Sequence, residues 1–193
     1  VKNKIEELNP DILHSVQINP IVELISRELG IPHIMNIYQL LPEFFSVHYM
    51  DIFPHYHICD SYYFAKKWNV YLGTESICIR TIAYKNDKVR NSENLKNKNL
   101  NYMCVGSLYE RKNQFEIIKA FHKALEFGIK GNLLIYGYYD GVYGDKCKKY
   151  IIEYGLGEYI KLKGFCSNIS EEYQKNDVLI CGSTIESYPN VIS

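Results

Sequence analysis

The sequence lacks a Cys-x-x-Cys pair, an apolar run near the ~20 residues of a membrane span, and any surplus of charge. Lys plus Arg and Asp plus Glu number 22 each, so nothing in the balance points to nucleic acid or an anionic membrane as the main partner. No apolar leader stands at the amino terminus, so the secretory context that favours disulfides is not indicated. The six cysteines, Cys59, Cys78, Cys104, Cys147, Cys166 and Cys181, therefore read as reduced, mostly buried thiols of a cytosolic protein. Tyrosine is abundant, with 18 residues, and reads as amphipathic filler rather than as a carbohydrate-binding surface. What remains is ordinary for a folded chain: 193 residues, 47% hydrophobic and 23% charged, enough for one good core or two small ones.

Strand-like and helix-like segments alternate throughout, which predicts an α/β protein with parallel sheets flanked by helices. In the first half, Asp11–Gln17 reads as a strand and Pro20–Leu29 as a helix stopped by Gly30. Ile31–Ile37 and Tyr56–Cys59 follow as strands, then a helix through Tyr62–Trp68 and a strand over Ser76–Ala83. Residues 85–101 are polar with almost no apolar periodicity, the pattern of an interdomain linker or exposed loop. In the second half, strands are expected at Tyr102–Val105, Asn132–Tyr136, Tyr159–Lys163 and Asp177–Cys181. Helices are expected over Phe115–Leu125, Lys146–Tyr154 and Ser167–Lys175. Gly106, Gly137 and Gly164 close the first three of these strands, at the sheet edge where ligands of such folds bind.

Two segments carry candidate chemistry. Gly106-Ser-Leu-Tyr-Glu-Arg-Lys-Asn-Gln114 lies between a strand and a helix, where backbone N–H groups and the helix dipole favour an anion. Lys112, with Arg111 beside it, adds charge for a phosphate or diphosphate, although first-turn surface charges are the plainer alternative. Ser183-Thr-Ile-Glu-Ser-Tyr-Pro-Asn-Val-Ile-Ser193 takes a loop through Glu186 to Pro189, which reads as the opening of a helix. Glu186 could there accept hydrogen bonds from hydroxyl groups, or simply decorate a helix start. A metal site at His48, His55, His57 and Cys59 finds no second cluster to complete it, and packing histidines are the preferred reading.

Together these segments, Val-Gly-Ser-Leu-x-x-x-Lys-Asn-Gln, Leu-Ile-Tyr-Gly, Leu-x-Gly-Phe and Ser-x-x-Glu-x-x-Pro-Asn-Val-Ile, stand in register over 102–193. The pattern resembles the donor domain of glycosyltransferase family 4, retaining enzymes of the GT-B fold with two Rossmann-like domains. Pro10-Asp-Ile-Leu-His14, Leu29-Gly-Ile-Pro32 and Asp60-Ser61 resemble the later part of that family's acceptor domain. The resemblance implies an acceptor-side domain over 1–84, a linker at 85–101 and a donor-binding domain over 102–193, both domains incomplete. It implies acceptor-domain elements upstream of Val1 and a second motif carboxylate eight positions after Glu186, one residue beyond Ser193. On that view the chain is a fragment with little activity by itself.

Carried over residue by residue, the resemblance assigns Lys112 to the donor diphosphate and Glu186 to the hydroxyls of the transferred sugar, as the catalytic pair. Gly106, Ser107 and Arg111 join them in donor binding, with Gly164 and Phe165 at the nucleotide base. Backbone groups of Tyr188, Asn190 and Val191 would face the sugar or distal phosphate. Two positions depart from the family pattern: Ser107 stands where an Arg is common, and Tyr38 where a His is common. The implied function is retaining transfer of a sugar from a UDP- or GDP-sugar to a glycan or lipid-linked hydroxyl acceptor, in glycan or surface-polysaccharide biosynthesis. No further cofactor or metal is required for it. The alternatives are a catalytically silent nucleotide-sugar-binding or partner subunit and a nucleotide-sugar epimerase. The expected location is the cytoplasm, with peripheral association at the inner membrane face, through a part upstream of Val1, left open.

Overall fold

The computed structural model describes residues 1–16, 19–38, 56–72, 75–80, 99–187 and 189. The chain divides into two compact units, Val1–Ile82 with Ser187–Asn190, and Ala83–Glu186 with Val191–Ser193. Among the described residues, no helix is long and apolar enough to cross a membrane.

The first unit holds a parallel sheet of β1 (Leu13–Val16), β2 (His33–Ile37), β3 (Tyr56–Cys59) and β4 (Ile77–Cys78), in that order. Helix α2 (Pro20–Leu29) has the expected bounds. The Asn19 side chain accepts from the Val22 amide at 3.3 Å, proline occupies the first turn, and Gly30 ends the helix at φ 67°. Helix α3 (Tyr62–Leu72) brings Phe64, Ala65 and Trp68 against Met35, Ile37 and Cys59 to make the core. Helix α1 (Lys2–Leu8) escapes a reading by periodicity because it buries no residue.

Beside that core runs a buried polar chain. Ser15 Oγ lies 2.8 Å from His33 Nε2, His33 Nδ1 lies 2.8 Å from Glu23 Oε2, and Arg27 Nε donates to Glu23 Oε1 at 2.8 Å. Glu23 is buried on the inner face of α2 together with Ile25 and Ser26. Its carboxylate is tolerated because each oxygen has a partner.

The second unit is a parallel sheet of β5 (Leu100–Val105), β6 (Gly131–Tyr136), β7 (Ile160–Gly164) and β8 (Val178–Leu179), in the spatial order β7-β6-β5-β8. Helices α4 (Gln114–Glu126) and α5 (Val142–Glu153) cover one face. There Ile117, Ile118, Phe121, Cys147 and Ile151 meet Leu133, Ile135 and Ile160 in a single cluster. Because side chains alternate along a strand, Tyr136 turns away from that cluster. Its hydroxyl donates to Glu172 Oε2, 2.5 Å away on α6 (Ile169–Lys175).

Three expectations need correction. Leu100 and Asn101, read as the end of a polar linker, begin β5: the Asn101 amide donates to Asp177 Oδ2, the Asp177 amide donates back to the Asn101 carbonyl, both at 2.8 Å, and Asn132 Nδ2 donates to Asn101 Oδ1 at 3.3 Å. This strand start is polar, so hydropathy does not reveal it. Helix α5 begins at Val142 rather than Lys146, because its first turn exposes Val142 and gives no apolar signal. The thiols divide: Cys59, Cys104 and Cys147 are buried, Cys78 and Cys166 half-buried, and Cys181 exposed. Burial pushes Cys104 up to about 12 and Cys59 and Cys147 up to about 11, so these three remain thiols at neutral pH. The expected strand residues 81–83, most of the polar stretch 85–98, and Gln17 lie outside the described residues.

Glu23→Ala removes the centre of the polar chain and leaves His33 buried without its carboxylate. It is expected to destabilise the first unit by about 3 kcal/mol. Trp68, the sequence's single tryptophan and fully buried here, reports this unit alone in urea unfolding followed by fluorescence. An unshifted midpoint would show that the chain of bonds contributes nothing net.

Candidate active site

The site of the second unit is built from backbone outward. Past the end of β5, the Gly106 amide donates to the Tyr136 carbonyl and the Leu108 amide to the Tyr138 carbonyl, both at 2.8 Å. The strands approach so closely here that a Cβ on Gly137 would lie 2.3 Å from the Gly106 oxygen and 2.7 Å from the Ser107 nitrogen. Gln114, fully buried at the start of α4, locks the turn from inside: its Nε2 donates to the carbonyls of Gly106 (3.1 Å) and Ser107 (3.0 Å). Glu110–Lys112 form one 3-10 turn, and Asn113 takes the left-handed conformation at φ 59°, which turns the chain into α4. The stem of Lys112 then lies along Gly106, at 3.6 Å from where a Cβ would stand.

Glu186 arrives from the far end of the unit through a reciprocal backbone clamp. The Thr184 amide donates to the Arg111 carbonyl at 2.9 Å, and Arg111 Nη1 donates to the Ile185 carbonyl at 2.9 Å. The next residue is thereby set against both cations: Lys112 Nζ is 2.5 Å from Glu186 Oε1, and Arg111 Nη1 is 3.1 Å from Glu186 Oε2. Burial pushes the Glu186 carboxyl up, but hydrogen bonds from Lys112 and Ser183 and the charges of Lys112 and Arg111 outweigh it and hold it below its ordinary range. Lys112, Arg111 and Glu186, drawn from two segments that the resemblance assigns to one donor site, form one cluster.

The anion site expected from free amides is narrower than the sequence suggests. The amides of Gly106, Leu108, Lys112, Asn113 and Ile117 already donate to backbone carbonyls, and that of Phe115 to the Tyr143 hydroxyl at 3.0 Å. Ser107 is half-buried and gives its carbonyl to Gln114. Gly164 ends β7 at φ 74°, and its carbonyl accepts from the Gly137 amide at 2.8 Å. Phe165 beyond it is exposed and stacks on Tyr138. Tyr188, Asn190 and Val191, with the helix expected after Pro189, lie outside the described residues.

The sequence placed Gly137 at the sheet edge and Gln114 in the Lys-Asn-Gln motif without a role for either side of the turn, and it gave no signal for Tyr138 or Thr184. Tyr38 belongs to the first unit, where its hydroxyl accepts from Asn36 Nδ2 at 2.9 Å. His57 is buried on β3, its pKa lowered by that burial, and neither ring nitrogen has a hydrogen-bond partner among the described residues. His48 and His55 lie outside them.

Parallel sheets flanked by helices match the fold of GT-B glycosyltransferases. The chain belongs to the glycosyl transferases group 1 family, whose model matches residues 85–193. No curated protein sequence matches it. Among solved structures, the chain is similar to an Anabaena protein, Alr3699/HepE, crystallised with UDP and glucose: TM-score 0.77, 17% identity, 99% of this chain and 58% of that one. It is also similar to the pneumococcal O-GlcNAc transferase GtfA in complex with UDP and GlcNAc (TM-score 0.77, 14% identity, 99% and 41% of the two chains). The lipopolysaccharide outer core galactosyltransferase WaaB gives a TM-score of 0.65 at 20% identity, over 99% of this chain and 55% of that one. The chain thus spans between 41% and 58% of the length of these three structures.

The depressed Glu186 carboxyl fixes a sign. A group whose folded pKa lies below its ordinary 4.5 contributes stability that is present above that value and lost as pH falls through the folded one. Wild type is expected to exceed Glu186→Gln in stability at about pH 7, and the gap to narrow as pH falls below 4.5 and through the depressed folded pKa. Urea midpoints by far-UV circular dichroism measure it. A gap independent of pH would mean that the carboxylate charge is not what holds the clamp.

Proposed function

We propose that the complete protein is a retaining glycosyltransferase that moves a sugar from a nucleoside diphosphate donor to a hydroxyl acceptor, the second unit holding the donor. The observation that carries this reading is the Lys112–Glu186–Arg111 cluster at the carboxyl edge of β5 and β8. Two cations against one carboxylate leave a net charge of +1 across these three side chains, suited to a diphosphate. Uridine nucleotides bound in two similar structures support a UDP-sugar as donor, and GDP remains the second candidate.

In this mechanism the bond from the anomeric carbon to the diphosphate oxygen breaks as the acceptor hydroxyl forms its bond on the same face. The acceptor proton passes toward the departing phosphate. Lys112 and Arg111 stabilise the negative charge that grows on the leaving group, each donor contributing on the order of 3 kcal/mol to the transition state. Glu186, kept anionic, accepts hydrogen bonds from hydroxyls of the transferred sugar. When the diphosphate draws Lys112 away, Arg111 and the Thr184 clamp still hold the carboxylate in place. Ser107 in place of arginine favours the second reading, a silent nucleotide-sugar-binding subunit. Arg111 reaching Glu186 from another position favours the enzyme. The similarity to a lipopolysaccharide outer core galactosyltransferase supports a glycan acceptor.

Lys112→Ala in the full-length protein is expected to lower kcat/KM for sugar transfer by about 100- to 1000-fold while the far-UV circular dichroism spectrum stays unchanged. Turnover equal to wild type would sink the assignment of Lys112 to the leaving group.

A further inference from the structure

Helix α4 opens without a side-chain cap of its own. Asn113 holds the N-cap position, but its side chain accepts nothing from the first turn, where a helix start ordinarily places an amide on such an oxygen. Gln114 supplies no acceptor either, since its Nε2 is turned back to the Gly106 and Ser107 carbonyls. The acceptor comes from the next helix. The Phe115 amide donates to the Tyr143 hydroxyl at 3.0 Å. Burial pushes the Tyr143 pKa up, so this oxygen is a neutral acceptor at ordinary pH.

The same face of α5 holds Phe115 twice more. Tyr143, Lys146 and Tyr150 stand at helical spacing on one stripe of α5. Tyr150 meets the Phe115 ring edge-on, with centroids 5.4 Å apart and planes at 81°, and Lys146 Nζ lies 4.1 Å from the centroid of that ring. The first turn of α5 is itself fixed, because a Cβ on Gly144 would stand 1.7 Å from the Tyr139 carbonyl oxygen. Tyr139 follows Tyr138, whose carbonyl accepts from the Leu108 amide at 2.8 Å. The cation loop is thus tied to one stretch of backbone at both ends, through Leu108 at its start and through Phe115 and α5 at its close. We infer that Tyr143 is a positioning residue for sugar transfer, its hydroxyl fixing the entry of α4 and hence the place of Lys112, three residues before Phe115. The inference rests on the donor-site reading above and extends it to the residue that sets the cluster. A shift of the first turn passes directly to the 3-10 turn, since the Ile117 amide donates to the Asn113 carbonyl and the Asn113 amide to the Glu110 carbonyl. Tyr143 acts through Lys112 on a charge that grows only in the transition state, so its effect falls on kcat rather than on KM.

The test uses full-length protein and Tyr143→Phe, which keeps the ring against the core and removes only the hydroxyl. This variant is expected to lower kcat for sugar transfer about tenfold, with the donor KM within about twofold of wild type and the far-UV circular dichroism spectrum unchanged. A double-mutant cycle separates positioning from general support of the fold. In the Lys112→Ala background the same substitution should lower kcat by less than about twofold, because the side chain it positions is gone. Wild-type turnover in Tyr143→Phe overturns the inference alone. So does a tenfold loss that persists beside Lys112→Ala, since Tyr143 would then act on something other than Lys112. A rise in KM at unchanged kcat overturns it as well, by placing the hydroxyl in ground-state binding. Lys112→Ala that turns over as wild type does removes the donor-site reading, and the role of Tyr143 with it.

Discussion

At the carboxyl ends of β5 and β6 the backbones come closer than any side chain permits. A Cβ on Gly137 would stand 2.3 Å from the Gly106 oxygen, and that clearance is set by backbone, which cannot swing aside. The rest of the site follows from this approach. It lets the Gly106 and Leu108 amides reach carbonyls of the β6 end, which folds the loop back over the sheet edge. Gln114 then fills the inside of the turn, and the 3-10 turn delivers Lys112 along Gly106 and Arg111 toward Thr184. Six hydrogen bonds and two ion pairs are arranged around a position that contributes no side chain.

Each unit carries a cluster of titratable residues, and exposure separates their roles. Ser15, His33 and Glu23 have the hydrogen-bond order of a nucleophilic triad. All three are buried, however, on the covered face of a sheet, where no substrate carbonyl could approach the Ser15 oxygen. Glu23 also spends its second oxygen on Arg27. The arrangement satisfies a buried carboxylate and joins α2 to β1 and β2. The cluster in the second unit is different in kind. Side chains of Lys112 and Glu186 are 17% and 19% exposed, and that of Arg111 is 42% exposed, so water and an anion can reach the charges.

Periodicity sufficed where a segment packs one face on a core. Helix α2 was legible to the residue, α4 to within one or two, because Ile117, Ile118 and Phe121 fall at helical spacing. It failed where an element owes its existence to polar partners. Helix α1 buries nothing, and β5 starts on a reciprocal Asn101–Asp177 pair that reads as linker. Strand β8 shrinks from the expected Asp177–Cys181 to Val178–Leu179, although the Asp177 and Ile180 amides still donate to β5 carbonyls, and only at Thr184 does the chain reach Arg111. At the site, residue types exposed Lys112 and Glu186 separately. Their pairing across 74 residues comes from Thr184 and Ile185 acting through backbone, which no residue type announces.

The strength of the Lys112–Glu186 contact has to lie between two limits. In a dry interior a pair at this distance would be too strong for a donor to separate, and at a fully exposed surface it would be too weak to order the loop. The partial exposure of both side chains sets it between these extremes. Arg111 is a second anchor for the same loop, since it holds Glu186 through the other oxygen and the Ile185 carbonyl through the same guanidinium nitrogen. In the proposed donor complex, Lys112 would leave the carboxylate for a diphosphate while Arg111 keeps the loop anchored. A lysine suits the exchanging position, being a compact charge on a flexible stem, and an arginine suits the fixed one, being a planar fork. Under the proposed mechanism, reversing the two would fasten the residue that exchanges partners.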